Sequence, residues 1–216
     1  MTYYTQYRHL ALEGAKPAPT AQQLAAIETL LEAKLPPSYL AFLQAANGAW
    51  FDYTTDVPDG NGGVEKMGFN TFFSADEGDF CDETLVGEIR AARQHAGMPV
   101  KILPFARDGG NSMLYLDLTD EGGGRVLAYV QELPDWTGKR AHGLMELAPS
   151  FDAWLDSLYI DRDTVLDELE HSVSEPSHLD AMAQWLDIGM PAWRRDAGIA
   201  ALFALKQVEL CAKEQD

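Results

Sequence analysis

The sequence predicts an α+β fold: a mostly antiparallel sheet flanked by N- and C-terminal helices, with an additional helical C-terminal extension. Three observations predict it. First, residues 113–118 alternate, with Leu114, Leu116 and Leu118 on one face and Met113, Tyr115 and Asp117 on the other, the period of a half-buried strand. Second, TDEGGG at 119–124 turns this strand into another alternating run, in which Val126, Ala128 and Val130 oppose Leu127 and Tyr129. Two antiparallel strands in the middle of a sheet are the expected result. Third, apolar residues recur at helical spacing on both sides of the hairpin, as Leu24, Ile27, Leu30 and Leu31 before it and as Phe151, Trp154, Leu155 and Leu158 after it.

In chain order, residues 1–19 form a lead in which Pro17 and Pro19 favour extended linker over helix. Thr20 followed by Gln23 is a capping box, and it opens a helix whose face runs to Leu35 and stops at Pro36-Pro37. Pro37 suits the first turn of a second helix, with Tyr39, Phe42, Leu43 and Ala46 inward and Asn47-Gly48 as its stop. Trp50 and Phe51 begin the sheet region. Residues 52–63 have loop composition, and residues 64–73 read as a strand interrupted at Gly68. A helix with Leu85, Val86, Ile89 and Ala92 inward follows a run of acids that suits its dipole. Residues 101–106 supply the next strand, and Asp108-Gly109-Gly110-Asn111 is turn chemistry. Residues 144–147 read as a short edge strand and Ser150 as the cap of the next helix.

Residues 20–160 are thus expected to form the main domain and 161–216 a helical extension packed on it, since Met182, Leu186, Trp193, Leu202 and Phe203 would otherwise be exposed. Within the extension, residues 161–170 read as an acidic helix, Ser177 with Asp180 as the cap of a second helix ended by Gly189, and about Asp196 as the start of the last.

Composition narrows the partners. The chain has 216 residues, 46% of them hydrophobic, enough for a sizeable core. Lys and Arg number 16 against 34 Asp and Glu, a formal charge of -18. Such a balance argues against nucleic acid and anionic membrane surfaces and for a basic protein partner. The two cysteines, Cys81 and Cys211, are far apart, the first residues lack the pattern of a secretory signal, and no run of about 18 apolar residues exists, so a reducing cytoplasm is expected and a membrane is not.

Chemistry-bearing motifs are sparse. His9, His95, His142, His171 and His178 have no metal-ligand spacing. Asp161 and Asp163 begin like a calcium loop, but Val165 stands where an oxygen ligand belongs, so they read as a capped helix start. Gly122, Gly123 and Gly124 fit a hairpin turn better than a phosphate cradle, and Ser112 lacks the flanking glycines of a nucleophile elbow. No catalytic residue, cofactor or metal is therefore expected.

Three stretches, LPPSYLAFLQAANGAW, ILPFARDGGNSMLYLDL and LMELAPSFDAWLDSLY, together resemble in order and spacing the recurring signatures of the SUKH superfamily, the Smi/Knr-type domain of fungal cell-wall assembly regulators and many bacterial immunity proteins. The resemblance covers about residues 20–159, with one departure, Asn47-Gly48-Ala49 where many members resemble Asn-Gly-Gly. It implies an α+β fold with a largely antiparallel sheet packed by N- and C-terminal helices. For bacterial members it implies a protein that binds and neutralises a toxin of a polymorphic toxin system; the fungal relatives imply instead a regulatory scaffold that recruits several partners.

Charge placement is the remaining functional signal. Residues 51–88 hold ten carboxylates and one base, Lys66. Of these, Asp52, Asp56, Asp59, Asp76, Glu77, Asp79, Asp82 and Glu83 are the candidate partner-binding residues, expected to steer a basic, nucleic-acid-acting toxin domain onto the protein. A solvated face that serves solubility is the competing account of the same charges. The loop around Trp136, Lys139 and Arg140 is a second possible contact region.

Overall fold

The computed structural model describes residues 4–58, 62–78, 83–94, 98–130 and 144–213. In order, its elements are β1 (Thr5–Tyr7), β2 (Leu10–Leu12), α1 (Ala21–Leu31), α2 (Pro37–Ala45), β3 (Ala49–Trp50), β4 (Thr54–Pro58), β5 (Val64–Gly68), β6 (Thr71–Phe72), α3 (Leu85–Ala92), β7 (Ile102–Arg107), β8 (Met113–Asp117), β9 (Arg125–Tyr129), β10 (Met145–Ala148), α4 (Phe151–Ser157), α5 (Arg162–His171), α6 (Pro176–Gly189) and α7 (Ala197–Lys213). They form two compact units, Gly14–Leu158 and the pair Met1–Glu13 with Tyr159–Asp216. No described helix is long and apolar enough to cross a membrane.

The larger unit is built on an antiparallel sheet of order β10-β9-β8-β7-β6-β3, so both strands of the predicted hairpin β8-β9 are interior, with β8 central and β9 next to the edge strand β10. Leu103, Phe105, Leu114, Leu116, Val126 and Ala128 are buried on one face. Helices α2 and α4 cover that face with aromatic rings, and Phe105 meets Tyr39, Phe151 and Trp154 at centroid distances of 6.0, 5.5 and 5.2 Å. Burying side chains of this size stabilises by roughly 1.5–3 kcal/mol each, most of it offset by lost chain entropy. Helix α1 starts with the predicted capping box, Gln23 N–H donating to Thr20 Oγ1 at 3.2 Å and Thr20 N–H to Gln23 Oε1 at 2.8 Å.

Four sequence expectations are corrected. Strand β8 is not half-buried: Tyr115 and Asp117 on its second face are as enclosed as the leucines, because Ile102, Tyr115 and Leu127 form a second small core with Met98, Met113 and Leu144 packed against it. The segment read as loop at 52–63 contains β4, paired with β5 in a separate two-stranded sheet, because Tyr53, Thr55 and Val57 alternate inward and their burial outweighs the surrounding turn residues. Helix α6 is capped at Glu175 rather than Ser177, because Pro176 has the fixed φ of a first helical residue. The lead is more than linker: β1 and β2 pair in a tight hairpin that turns at Arg8, with φ 56°.

The smaller unit joins that hairpin to the C-terminal helices. Leu10, Ala11 and Leu12 are buried, and β2 lies against α6. Helix α7 packs on α5 and α6, with Val165, Leu169, Leu179, Leu186, Trp193 and Ile199 buried. The start of α7 is fixed by Asp196, which accepts from the N–H groups of Gly198 and Ile199 and from Arg162 Nε at 2.7 Å. The Arg162 guanidinium, helped by these amides, pulls the Asp196 carboxyl down to about 2.

Candidate partner-binding surface

Of the eight candidate carboxylates, Asp52, Asp56, Asp76, Glu77 and Glu83 can be placed, whereas Asp59, Asp79 and Asp82 lie outside the described residues, as do Trp136, Lys139 and Arg140. Those five stand on different elements of the larger unit. Asp56 is exposed on the β4-β5 hairpin, opposite Lys66 in the ladder. Asp52 is half-buried between β3 and β4. Asp76, Glu77 and Glu83 gather around Ser74, which is bridged to Thr84: Ser74 N–H donates to the Glu83 carbonyl at 2.9 Å and Leu85 N–H to the Ser74 carbonyl at 2.8 Å.

Two members of that second group have structural partners. Lys16 Nζ donates to Asp76 Oδ2 at 2.9 Å and to Ser74 Oγ at 3.2 Å, while Gln23 Nε2 donates to Asp76 Oδ1 at 3.3 Å, so this carboxylate links the linker before α1 to the first turn of the helix. The Lys16 hydrogen bond holds its carboxyl below the usual carboxylate range. Glu83 pairs with Arg107 at 2.6 Å. Glu77 is exposed. Glu88, another of the ten acids, is buried on α3, and its Oε1 has no hydrogen-bond partner among the described residues. Burial pushes its carboxyl up, Arg107 nearby opposes this, and Glu83 adds to it.

The second face of the central sheet offers a surface that sequence reasoning missed. Ladder pairing places Trp50, Thr71, Arg107, Met113 and Tyr129 in one row on that face. The row crosses five strands, a span of about 19 Å at the usual strand spacing. Its ends stand in solvent, Trp50 at 45% exposure and Tyr129 at 38%. Trp, Tyr, Arg and Met are the side chains most enriched at protein interfaces. The signal was present in the alternation of β8 and β9, which puts Met113 and Tyr129 on the face opposite the leucine core, but the register that aligns them with Trp50 joins residues far apart in sequence.

Along the same face, two rows away, lies a groove of about 350 Å³. Pro99, Ile102, Leu127 and Leu144 form its apolar part, and Asp117, Glu121, Arg125 and Glu146 stand at its polar side. Arg125 bridges two of these carboxylates, at 2.8 Å to Asp117 and 3.3 Å to Glu146.

A family model described as the SMI1 / KNR4 family (SUKH-1) matches residues 18–157, nearly the whole of the larger unit. The comparison with curated proteins found no match.

Proposed function

The chain belongs to the SMI1 / KNR4 family (SUKH-1), and from that membership we propose that it is a non-enzymatic protein-binding module of the immunity type, neutralising a cognate toxin domain with a basic, nucleic-acid-binding surface. The observation that carries the charge of the partner is the formal charge of -18, with Asp56 and Glu77 exposed on the larger unit. A toxin groove built to hold phosphates presents Lys and Arg, and carboxylates compete for it as mimics of nucleic-acid charge. The test is co-expression with any toxin-type domain that a gene adjacent to this one encodes. Protection of the host and a stoichiometric complex are expected; a host that dies with both proteins present refutes the proposal.

A second function, a regulatory scaffold, is favoured by one feature. Residues 158–216 lie outside the family match, and α7 carries Leu205 and Val208 at 53% and 69% exposure. A scaffold would use this helix for a further partner without blocking any active site. It would bind several host proteins and leave toxin activity unchanged.

A further inference from the structure

The groove on the second sheet face belongs to no part of the acidic segment, and its chemistry is specific enough to name an occupant. We propose that it seats one arginine or lysine side chain of a protein partner, an assignment that rests on the protein-binding function above. Long cationic side chains lay their methylene stems on apolar surface and keep the charged head at a polar rim. Here Ile102, Leu127 and Leu144 offer the surface, and the carboxylates at the rim offer the acceptors.

The carboxylates are unequally engaged. Asp117 is fully used: its Oδ2 accepts from Arg125 Nε at 3.0 Å and Nη2 at 2.8 Å, and its Oδ1 from Thr119 N–H at 3.1 Å and Oγ1–H at 2.6 Å. Among the described residues Glu146 has one polar partner, Arg125 Nη1 at 3.3 Å, and its side chain is 51% exposed. Glu121 is exposed and has no ion pair among the described residues. Three carboxylates against one guanidinium leave the rim negative, so a cation entering beside Arg125 finds Glu146 and Glu121 as acceptors. An anionic side chain would be repelled, and a second copy of this chain, itself at -18, is a poor occupant on the same ground. The row from Trp50 to Tyr129, exposed at its two ends, extends the contact surface beyond the groove.

The test titrates the full ¹⁵N-labelled chain with N-acetyl-arginine amide and, as control, N-acetyl-citrulline amide, which has nearly the same shape without the charge. Saturable shifts of the Leu127, Leu144 and Glu146 amides are expected with the arginine probe and much smaller ones with citrulline. The double variant Glu146→Gln/Glu121→Gln, still folded by its spectrum, should bind the arginine probe about 3- to 5-fold more weakly, as for partly exposed ion pairs. Equal response to both probes, unsaturable shifts spread over all surface acids, or an unweakened double variant would overturn the proposal. Because no toxin is involved, the two failures separate: toxin protection without an arginine response removes only the groove, and an arginine response without protection removes only the immunity function.

Discussion

Arg125 stands directly across the β8-β9 ladder from Asp117 and closes on its carboxylate with two nitrogens, Nε at 3.0 Å and Nη2 at 2.8 Å. The turn that joins the two strands folds over this carboxylate so tightly that a Cβ on Gly122 would fall 2.0 Å from Asp117 Cγ. Burial works to raise the Asp117 carboxyl, but the Thr119 and Arg125 hydrogen bonds outweigh it and hold it below the usual range. A lowered folded value means a stabilisation present above the unfolded value near about 3.9 and lost as pH falls through the folded one. Asp117→Asn should therefore melt well below the parent at pH 7, with the gap closing as the pH is lowered from about 4 towards 2. Thermal melts across that window check it. Truncation to Asp117→Ala removes the acceptor of the Thr119 N–H and hydroxyl as well and should cost about 1–3 kcal/mol at pH 7.

The junction after α2 should be as sensitive. Asn47 is buried, donates Nδ2–H to the Pro17 carbonyl at 2.9 Å and accepts Ala75 N–H on Oδ1 at 2.7 Å. Beside it Gly48 has φ +67°, and a Cβ there would meet Ser74 Cβ at 2.6 Å. Asn47→Ala leaves two backbone groups unpaired and should lose about 2–3 kcal/mol in denaturant melts. Gly48→Ala adds left-handed strain to a backbone clash and should lose at least as much. By contrast Ala49, where the sequence departs from the family pattern, is an ordinary strand residue paired with Phe72.

These two positions mark what the sequence made legible. Asn47-Gly48 could be read as a helix stop, the Thr20 capping box as a start, and the β8-β9 alternation as a hairpin, because each is decided by neighbours within a few residues. Other features depended on distant partners. The burial of β8 on both faces needs Met98 and Leu144 beside Tyr115, the pairing of β4 with β5 was hidden by Gly and Asp around it, and the ion pair of Asp76 needs Lys16, sixty residues away. For the same reason the acidic segment looked like one surface, although Asp76 and Glu83 hold structural partners and Glu88 is buried.

The N-terminal hairpin should be a structural part of the C-terminal unit. Leu12 is fully buried on β2, which lies against α6. Leu12→Ala should destabilise that unit by about 2–4 kcal/mol. Hydrogen exchange is the readout: protection of α6 and α7 should fall while that of β7 and β8 stays nearly unchanged. Equal loss in both would show that the chain unfolds as a single cooperative block.

The central claim is electrostatic recognition of a basic toxin domain, and the most direct measurement is the association rate with a toxin domain against which this chain protects a host, taken at about 50 and 300 mM salt for the parent and for Asp56→Lys/Glu77→Lys. These two residues are chosen because neither is among the carboxylates that pair with Lys16 or Arg107. The parent rate should fall at least about 10-fold across that range, and the reversed variant should start several-fold slower and depend less on salt. A parent rate indifferent to salt, or a variant that associates as fast as the parent at low salt, would contradict it.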